Sequence, residues 1–349
     1  MEEKKKVGVI FGGMSTENEV SVQSAKSVMK NIDTNTYKIE PIYIDKRGIW
    51  YESKQEDEVE FGGEIKSKTK IDNIVEYLKK LDIVFPVLHG LYGEDGTIQG
   101  LLKLLNIKYV GCGVLASSVG MDKAYTKIIF DRANINQAKY VYLKVVNEKY
   151  VYVDKNFDEK TMEMKEVVKT ITTQLKFPMF VKPSNSGSSV GIKKAENEEQ
   201  LAENIRYAAK FDTKVLIEEG IEGKEVECAV LGNEEVIASN VGEIKAADEF
   251  YSFDAKYKNS KSRTVIPADI PEKIAEEIRK QAIKAFKAID GRGLSRVDFF
   301  VEKDTNKIYI NEINTMPGFT NISMYPKLFE SVGIKYDELL DTLLKLAEE

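Results

Sequence analysis

The sequence predicts a mixed α/β and α+β protein, with an open parallel α/β unit first and antiparallel sheets after it. Three observations carry this. Val7–Phe11 is a short continuous apolar run that meets Gly12-Gly13 and then a helical pattern through about Asn31. That is the strand–turn–helix opening of a doubly wound sheet. Glu225–Leu231 and Glu235–Ile244 read as consecutive antiparallel-type strands. Arg296–Gly318 reads as a β-hairpin, with β-prone runs at Ser295–Val301 and Lys307–Ile313 around Asp304-Thr305-Asn306. A chain of 349 residues is long enough for two or three such domains and a large core.

Composition removes several function classes. The net charge of −6, from 51 basic and 57 acidic residues, leaves no electrostatic footprint for nucleic acid or an anionic membrane. Cys112 and Cys228 form neither a disulfide framework nor a CxxC pair, which fits a reducing, cytosolic setting. One histidine, His89, cannot build a multi-histidine zinc site. The N-terminal apolar run ends in glycines and is expected to be a first strand, not a signal peptide. No apolar run approaches membrane-spanning length.

The elements follow in order. Tyr37–Ile44 is a strand, Ile71–Leu81 an amphipathic helix, and Asp82–Leu88 a buried strand ending at His89-Gly90. The segment HGLYGEDGTIQG leads into a helix over Thr97–Leu105. Tyr109-Val110 is a short strand, and the first unit closes near Gly113. A lone histidine at a strand end is usually a structural hydrogen-bonding residue. This one lies at the carboxyl end of a parallel strand, where α/β proteins bind ligands. Met121-Asp122-Lys123 precedes a helix over Ala124–Asn134, then a strand over Ala138–Lys144 and a helix over Met162–Leu175.

Met179–Val181 is a strand with Lys182 at its end, Ser184–Ser189 a small-residue loop, and Val190–Ala195 a second strand. Strand, Gly/Ser loop, strand suits a flap of backbone N–H groups and hydroxyls over phosphates. A plain hairpin tip would look similar. GxxxxGK[ST] and GxGxxG are both absent. Glu196–Phe211 is a helix, and Lys214–Glu218 a strand that runs into an acidic connector. Ala246–Val265 is a long polar loop whose Phe250, Tyr251, Phe253 and Tyr257 argue for a functional role. Pro271–Asp290 is a helix, and Tyr325–Val332 and Tyr336–Leu346 close the chain.

Within the hairpin, Arg296 and Asp298 share one face, as do Glu312 and Asn314. A three-residue turn, with Lys303 opposite Lys307, sets Asp298 against Glu312 and Arg296 against Asn314. Facing carboxylates repel unless a cation lies between them. Oxygen-only ligands of this kind suit Mg²⁺. The competing reading is a solvated polar face.

GGMSTENEVS, HGLYGEDGTIQG, MDK, VKPSNSGSSVG, LIEEGIEGKEVE, FDAKY, SRVDFF and NEINTMPGFTNISMYP occur in that order over nearly the whole chain. Together they resemble the D-alanine–D-alanine ligases of the ATP-grasp superfamily. The resemblance implies the ATP-grasp fold in three domains: 1–118, 119–213 and 214–349, the last carrying a lid at 246–265. It implies that ATP phosphorylates one D-alanine, that the amine of a second attacks the acyl phosphate, and that the product serves peptidoglycan synthesis in the cytoplasm. A homodimer through the N-terminal domain is also implied. Asp298, Glu312 and Asn314 match metal ligands for two Mg²⁺, with Mn²⁺ a possible substitute. Lys123, Lys182 and Lys256 match phosphate-contacting lysines, and Ser189 belongs to the phosphate loop. Glu218, Ile221 and Glu225 match positions around adenine and ribose. Glu17, Ser188 and Tyr257 match a hydrogen-bonded link between three domains, Glu17 also meeting the first substrate's ammonium. His89 neighbours that substrate. Arg296 and the Gly318 N–H match the donors to the tetrahedral oxyanion. Ser323 and Met324 match the second-substrate pocket. An apolar Met324 favours D-alanine as acceptor, with D-serine the alternative and D-lactate a weaker one. A non-catalytic nucleotide-binding module would have eroded this chemistry.

Overall fold

The computed structural model describes residues 4–54, 65–245, 263–320 and 322–349. Three sheets organise it. The first contains β1 (Lys5–Gly12), β2 (Tyr37–Ile44), β3 (Trp50–Ser53), β4 (Lys68–Lys70), β5 (Ile83–Pro86) and β6 (Lys108–Tyr109), in the order β4-β3-β2-β1-β5-β6. β1 pairs in parallel with β2 and β5, and β5 with β6. Val7, Val9 and Ile10 are fully buried, because apolar clusters cover both faces of the sheet. That is why these strands read as unbroken apolar runs. The amphipathic helix expected over Ile71–Leu81 is only Ile74–Leu78. The Asn73 side chain accepts from the Glu76 N–H and so caps the helix three residues late. A helix over Val114–Met121 has no counterpart among the expected elements. Its small residues leave little apolar periodicity to read.

The second sheet contains β7 (Tyr140–Val146), β8 (Lys149–Val153), β9 (Glu159–Met162), β10 (Met179–Pro183), β11 (Lys193–Ala195) and β12 (Lys214–Glu219), in the order β11-β10-β12-β7-β8-β9. β8 and β9 are not expected from the sequence pattern. The strand expected from Val190 starts at Lys193, because Ser188, Ser189 and Gly191 turn the chain with positive φ. β12 sits in the middle of this sheet, so the sheet extends past residue 213, the expected end of the central domain. Helices Met164–Thr172 and Glu198–Ala208 bury Val167, Ile171, Leu201 and Ile205 against it.

The third sheet contains β13 (Gly223–Gly232), β14 (Val236–Lys245), β15 (Arg263–Val265), β16 (Gly293–Glu302) and β17 (Ile308–Asn314), in the order β15-β14-β13-β16-β17. The helix Glu272–Ala288 packs on one face. Helices Met324–Glu330 and Tyr336–Leu346 join the other face to the first sheet in one apolar cluster, where Phe319 meets Phe85 edge-on at 5.5 Å. Of the lid expected over 246–265, Arg263–Val265 pairs with β14. Its remaining residues, including Lys256 and Tyr257, lie outside the described residues. Among the described residues no helix is long and apolar enough to cross a membrane.

The hairpin β16–β17 pairs Asp298 with Glu312 and Arg296 with Asn314, as its alternation predicts. The turn itself differs. Val301 pairs with Ile308 and the Glu302 N–H donates to the Lys307 carbonyl, so the register near the turn is one residue off the expected one. A bulge between Asp298 and Phe299, opposite Asn311, restores it. Asn311 and Glu312 therefore both line the cavity below.

Candidate active site

A cavity of about 520 Å³ opens where the three sheets meet. It is lined by Glu17 and His89 from the first unit, Lys123, Lys182, Ser188 and Ser189 from the second, and Arg296, Glu312, Asn314 and Gly318 from the third. Glu218, Ile221, Glu225, Ser323 and Met324 also line it. Asp298 lies behind this lining, 2 % exposed.

One side of the cavity is built on lysines and buried carboxylates. Lys182, at the end of β10, lies 2.6 Å from Glu218 on β12, and Lys127 takes the other Glu218 oxygen at 2.5 Å. Burial disfavours the Glu218 charge, but the two ammonium groups outweigh it and hold the carboxyl down at about 2. Lys127 is absent from the expected site. It stands four residues after Lys123 on the helix Lys123–Arg132, so helical spacing is the signal that could have found it. Lys123 Nζ donates to the Ser186 carbonyl at 2.7 Å and lies 3.6 Å from Glu312. Asp122 caps that helix and accepts from Ser184 Oγ at 2.6 Å, which ties the base of the Ser184–Ser189 loop to Lys123.

The other side gathers on Glu17. The Ser188 hydroxyl donates to Glu17 Oε1, so two members of the expected link meet. A Cβ on Gly90 or Gly187 would overlap Glu17 Oε2, so two glycine backbones clasp that oxygen. Beside it, His89 Nδ1 lies 3.0 Å from the Met316 carbonyl and Nε2 2.9 Å from Ser24 Oγ. A carbonyl only accepts, so Nδ1 carries the proton and Nε2 accepts from Ser24. Burial, with the Arg296 charge adding to it, pushes the imidazole down to about 4, and it is neutral at pH 7. Glu94 also lines the cavity and is a second residue absent from the expected site. It accepts from the Gly90 N–H at 2.8 Å. Burial, then the charge of Glu17, raises its carboxyl to about 8.

Arg296 stands between the two sides. Its Nε donates to Asp298 Oδ1 and a terminal nitrogen to Oδ2, each at 2.7 Å. Asn314 Nδ2 donates to Asp298 at 3.0 Å. Glu227, 3.1 Å from Arg296 Nε, is a further cavity residue outside the expected set. It shares a strand face with Glu225, and that alternation is a legible signal. Gly318 approaches Ser323 so closely that a Cβ would lie 2.8 Å from its hydroxyl oxygen.

Among the described residues no group of three His, Cys, Asp or Glu side chains gathers as a ready metal site. The candidate donors are two carboxylates and an amide on facing strands, Asp298, Glu312 and Asn314. Such an all-oxygen, incomplete set fits a hard divalent cation that takes its remaining ligands from phosphates and water.

Comparison with known proteins shows the family. The family model described as the D-ala D-ala ligase N-terminus matches residues 6–112, and that for the C-terminus matches residues 143–345. A D-alanine–D-alanine ligase of Acetivibrio thermocellus is 51% identical, covering 99% of this chain and 96% of that protein. One from Clostridium acetobutylicum is 48% identical, over 99% of this chain and 98% of the other. Among solved structures, the VanG D-Ala:D-Ser ligase of Enterococcus faecalis superposes with a TM-score of 0.84 at 37% identity, covering 99% of this chain and 100% of that one. The D-alanine–D-alanine ligase of Coxiella burnetii superposes with a TM-score of 0.81 at 34% identity, over 99% and 94% of the two chains. The chain therefore belongs to the D-alanine–D-alanine ligase family, ATP-dependent ligases built on three domains with the ATP-grasp fold.

Proposed function

We propose that the chain joins two molecules of D-alanine with cleavage of ATP to ADP and phosphate, using Mg²⁺, in the cytoplasm and as a homodimer. The product serves peptidoglycan precursor synthesis. The observation that carries this reading is the position of Arg296. Its charge bears on His89 and Glu94 on one side and it pairs with Asp298 on the other, so one guanidinium borders both halves of the cavity.

The proposed chemistry assigns each side a step. Lys123, Lys182 and the Ser186–Ser189 loop hold the phosphates, with Glu218, Ile221 and Glu225 around the nucleoside. Asp298, Glu312 and Asn314 would hold Mg²⁺, which would supply charge neutralisation for the transferred phosphoryl group. Glu17 holds the ammonium of the first D-alanine; that substrate's carboxylate oxygen attacks the γ-phosphorus, the bond from it to the β–γ bridging oxygen breaks, and ADP leaves. The second substrate, as its neutral amine, then attacks the acyl carbon, the carbonyl electrons move onto oxygen, and the proton the nitrogen sheds leaves with the departing phosphate. Arg296 and the Gly318 N–H face that oxyanion, which collapses to the amide as phosphate departs. Neutral His89 orients the first substrate without adding charge.

A second reading takes D-serine as acceptor, favoured by the structural likeness to a D-Ala:D-Ser ligase. Against it stands Met324, 6 % exposed, which offers a hydroxyl no hydrogen bond. An apolar pocket rejects an added hydroxyl by only about 100-fold, so competition must be measured. The test is phosphate release from ATP with D-alanine alone, with D-alanine plus D-serine, and with no amino acid, followed by mass identification of the dipeptide. No D-alanine-dependent release would overturn both readings, and a mixed dipeptide as main product would select the second.

A further inference from the structure

We infer that Glu227 is a positioning residue for Arg296, holding the guanidinium in place when Asp298 turns from Arg296 to a divalent cation. The inference rests on the reading of Asp298 as a metal ligand and of Arg296 as the oxyanion donor. The strand ladder sets Glu227 on β13 opposite Asp298 on β16, and Asp298 opposite Glu312 on β17. Three carboxylates thus lie in one row across three neighbouring strands. Side chains directly opposite one another share a face, and like charges there repel. Arg296 relieves the repulsion on one side of the row and Lys123, 3.6 Å from Glu312, on the other.

Arg296 is shared unequally. Asp298 takes two short bonds at 2.7 Å, whereas Glu227 stands 3.1 Å from the same Nε that serves Asp298 Oδ1. Glu227 is 4 % exposed, and a carboxylate so deeply buried needs a cationic partner. A divalent cation on Asp298 competes for the oxygens Arg296 now holds, and its charge repels the guanidinium. Glu227 lies one strand over on the same face, so the Nε–H transfers to it by a small shift. Arg296 then stays beside the reacting carbonyl instead of withdrawing to solvent. Nothing else in the row serves: Glu312 is on the far side of Asp298 and is itself a cation ligand.

The test follows the Arg296 Nε–H directly. In ¹⁵N-arginine-labelled full-length protein its resonance is identified by its loss in Arg296→Lys. On addition of Mg²⁺ and ADP the signal is expected to persist in the wild type and to exchange with solvent at least about tenfold faster in Glu227→Gln, because a charge-assisted bond is replaced by a weaker neutral one. At saturating Mg²⁺, Glu227→Gln lowers kcat about tenfold with KM for D-alanine little changed, adds less than about twofold to Arg296→Lys, and is partly rescued by Glu227→Asp. Glu227→Gln keeps the Arg296–Asp298 pair and so retains the fold, which circular dichroism checks. A wild-type signal lost on Mg²⁺ and ADP addition, or unchanged exchange in Glu227→Gln, overturns the inference, as does full additivity with Arg296→Lys. Failure of the ligase reading is separate: wild-type protein would show no D-alanine-dependent phosphate release.

Discussion

Lys182 Nζ meets Glu218 Oε2 at 2.6 Å, with Glu218 buried and Lys127 on its other oxygen. Removing the carboxylate leaves Lys127, 3 % exposed, without its anion. Glu218→Gln is expected to cost roughly 3–5 kcal/mol, the usual penalty for breaking a buried pair. Urea unfolding at pH 7 measures it. The sign with pH is fixed by the depressed carboxyl. Its folded value of about 2 lies below the reference 4.5, so its contribution is complete above 4.5 and lost as pH falls toward 2. The gap between wild type and variant should close over that window. Equal stability at pH 7 would show that the triad is not coupled.

His89 and Glu94 carry opposite pH slopes. The imidazole drops from 6.5 to about 4 in the folded protein, so the unfolded chain takes the proton first and stability is lost as pH falls through that window. Glu94 rises from 4.5 to about 8, so its contribution is complete below 4.5 and lost as pH rises toward 8. Between 4.5 and 6.5 the two cancel. His89→Gln should therefore lose stability relative to wild type as pH rises from 4 to 6.5, by about 3 kcal/mol across the window. Glu94→Gln should gain relative to wild type from pH 4.5 to 8. Urea midpoints at several pH values decide, and parallel curves for the three proteins would count against both shifts.

Much of the fold is legible in the sequence, for identifiable reasons. Tyr37–Ile44 and Tyr336–Leu346 match their expected bounds, because a buried strand and a one-faced helix leave strong periodicity. Lys149–Val153 and Glu159–Met162 leave none, since most of their side chains are half-buried or exposed. A three-residue turn predicts the facing of Asp298 and Glu312. The structure reaches it by a longer turn and a compensating bulge, which alternation cannot register. Glu218 reads as a nucleoside residue, but Lys127, its nearest partner, lies far away in sequence and only the fold brings them together. Glu227 and Lys127 are within reach of strand and helix spacing, yet neither belongs to a site pattern that spacing alone could single out.

Gly90 and Gly100 belong to the same glycine-rich segment but should respond oppositely to alanine. Gly90 has φ of 72° and its missing Cβ would overlap Glu17 Oε2. Gly90→Ala displaces that carboxylate, and misplacement on this scale costs on the order of 100-fold in catalysis. It should appear mainly in the KM for the first D-alanine, with KM for ATP little changed. Gly100 lies inside the helix Thr97–Leu104, with nothing within 4 Å of where an alanine methyl would stand. Gly100→Ala should stabilise by roughly 0.5–1 kcal/mol and leave kinetics alone. Similar kinetics for the two variants would remove Glu17 from the first substrate site.

Arg296→Ala should show two separable losses. Turnover falls by roughly 10²–10³, as for other lost oxyanion donors. Stability falls as well, because Glu227, Asp298 and Glu312 are left in one row without the guanidinium that bridges the first two. A divalent cation partly replaces that charge, and binding to the folded state alone raises the melting temperature. In the wild type the cation must first displace Arg296 from both Asp298 oxygens; Arg296→Ala removes that competitor. Mg²⁺ at millimolar concentration without nucleotide should therefore raise the melting temperature of Arg296→Ala more than that of the wild type. Arg296→Ala combined with Asp298→Asn should lose most of the extra rise. Equal Mg²⁺ shifts in all three proteins would place the cation away from Asp298.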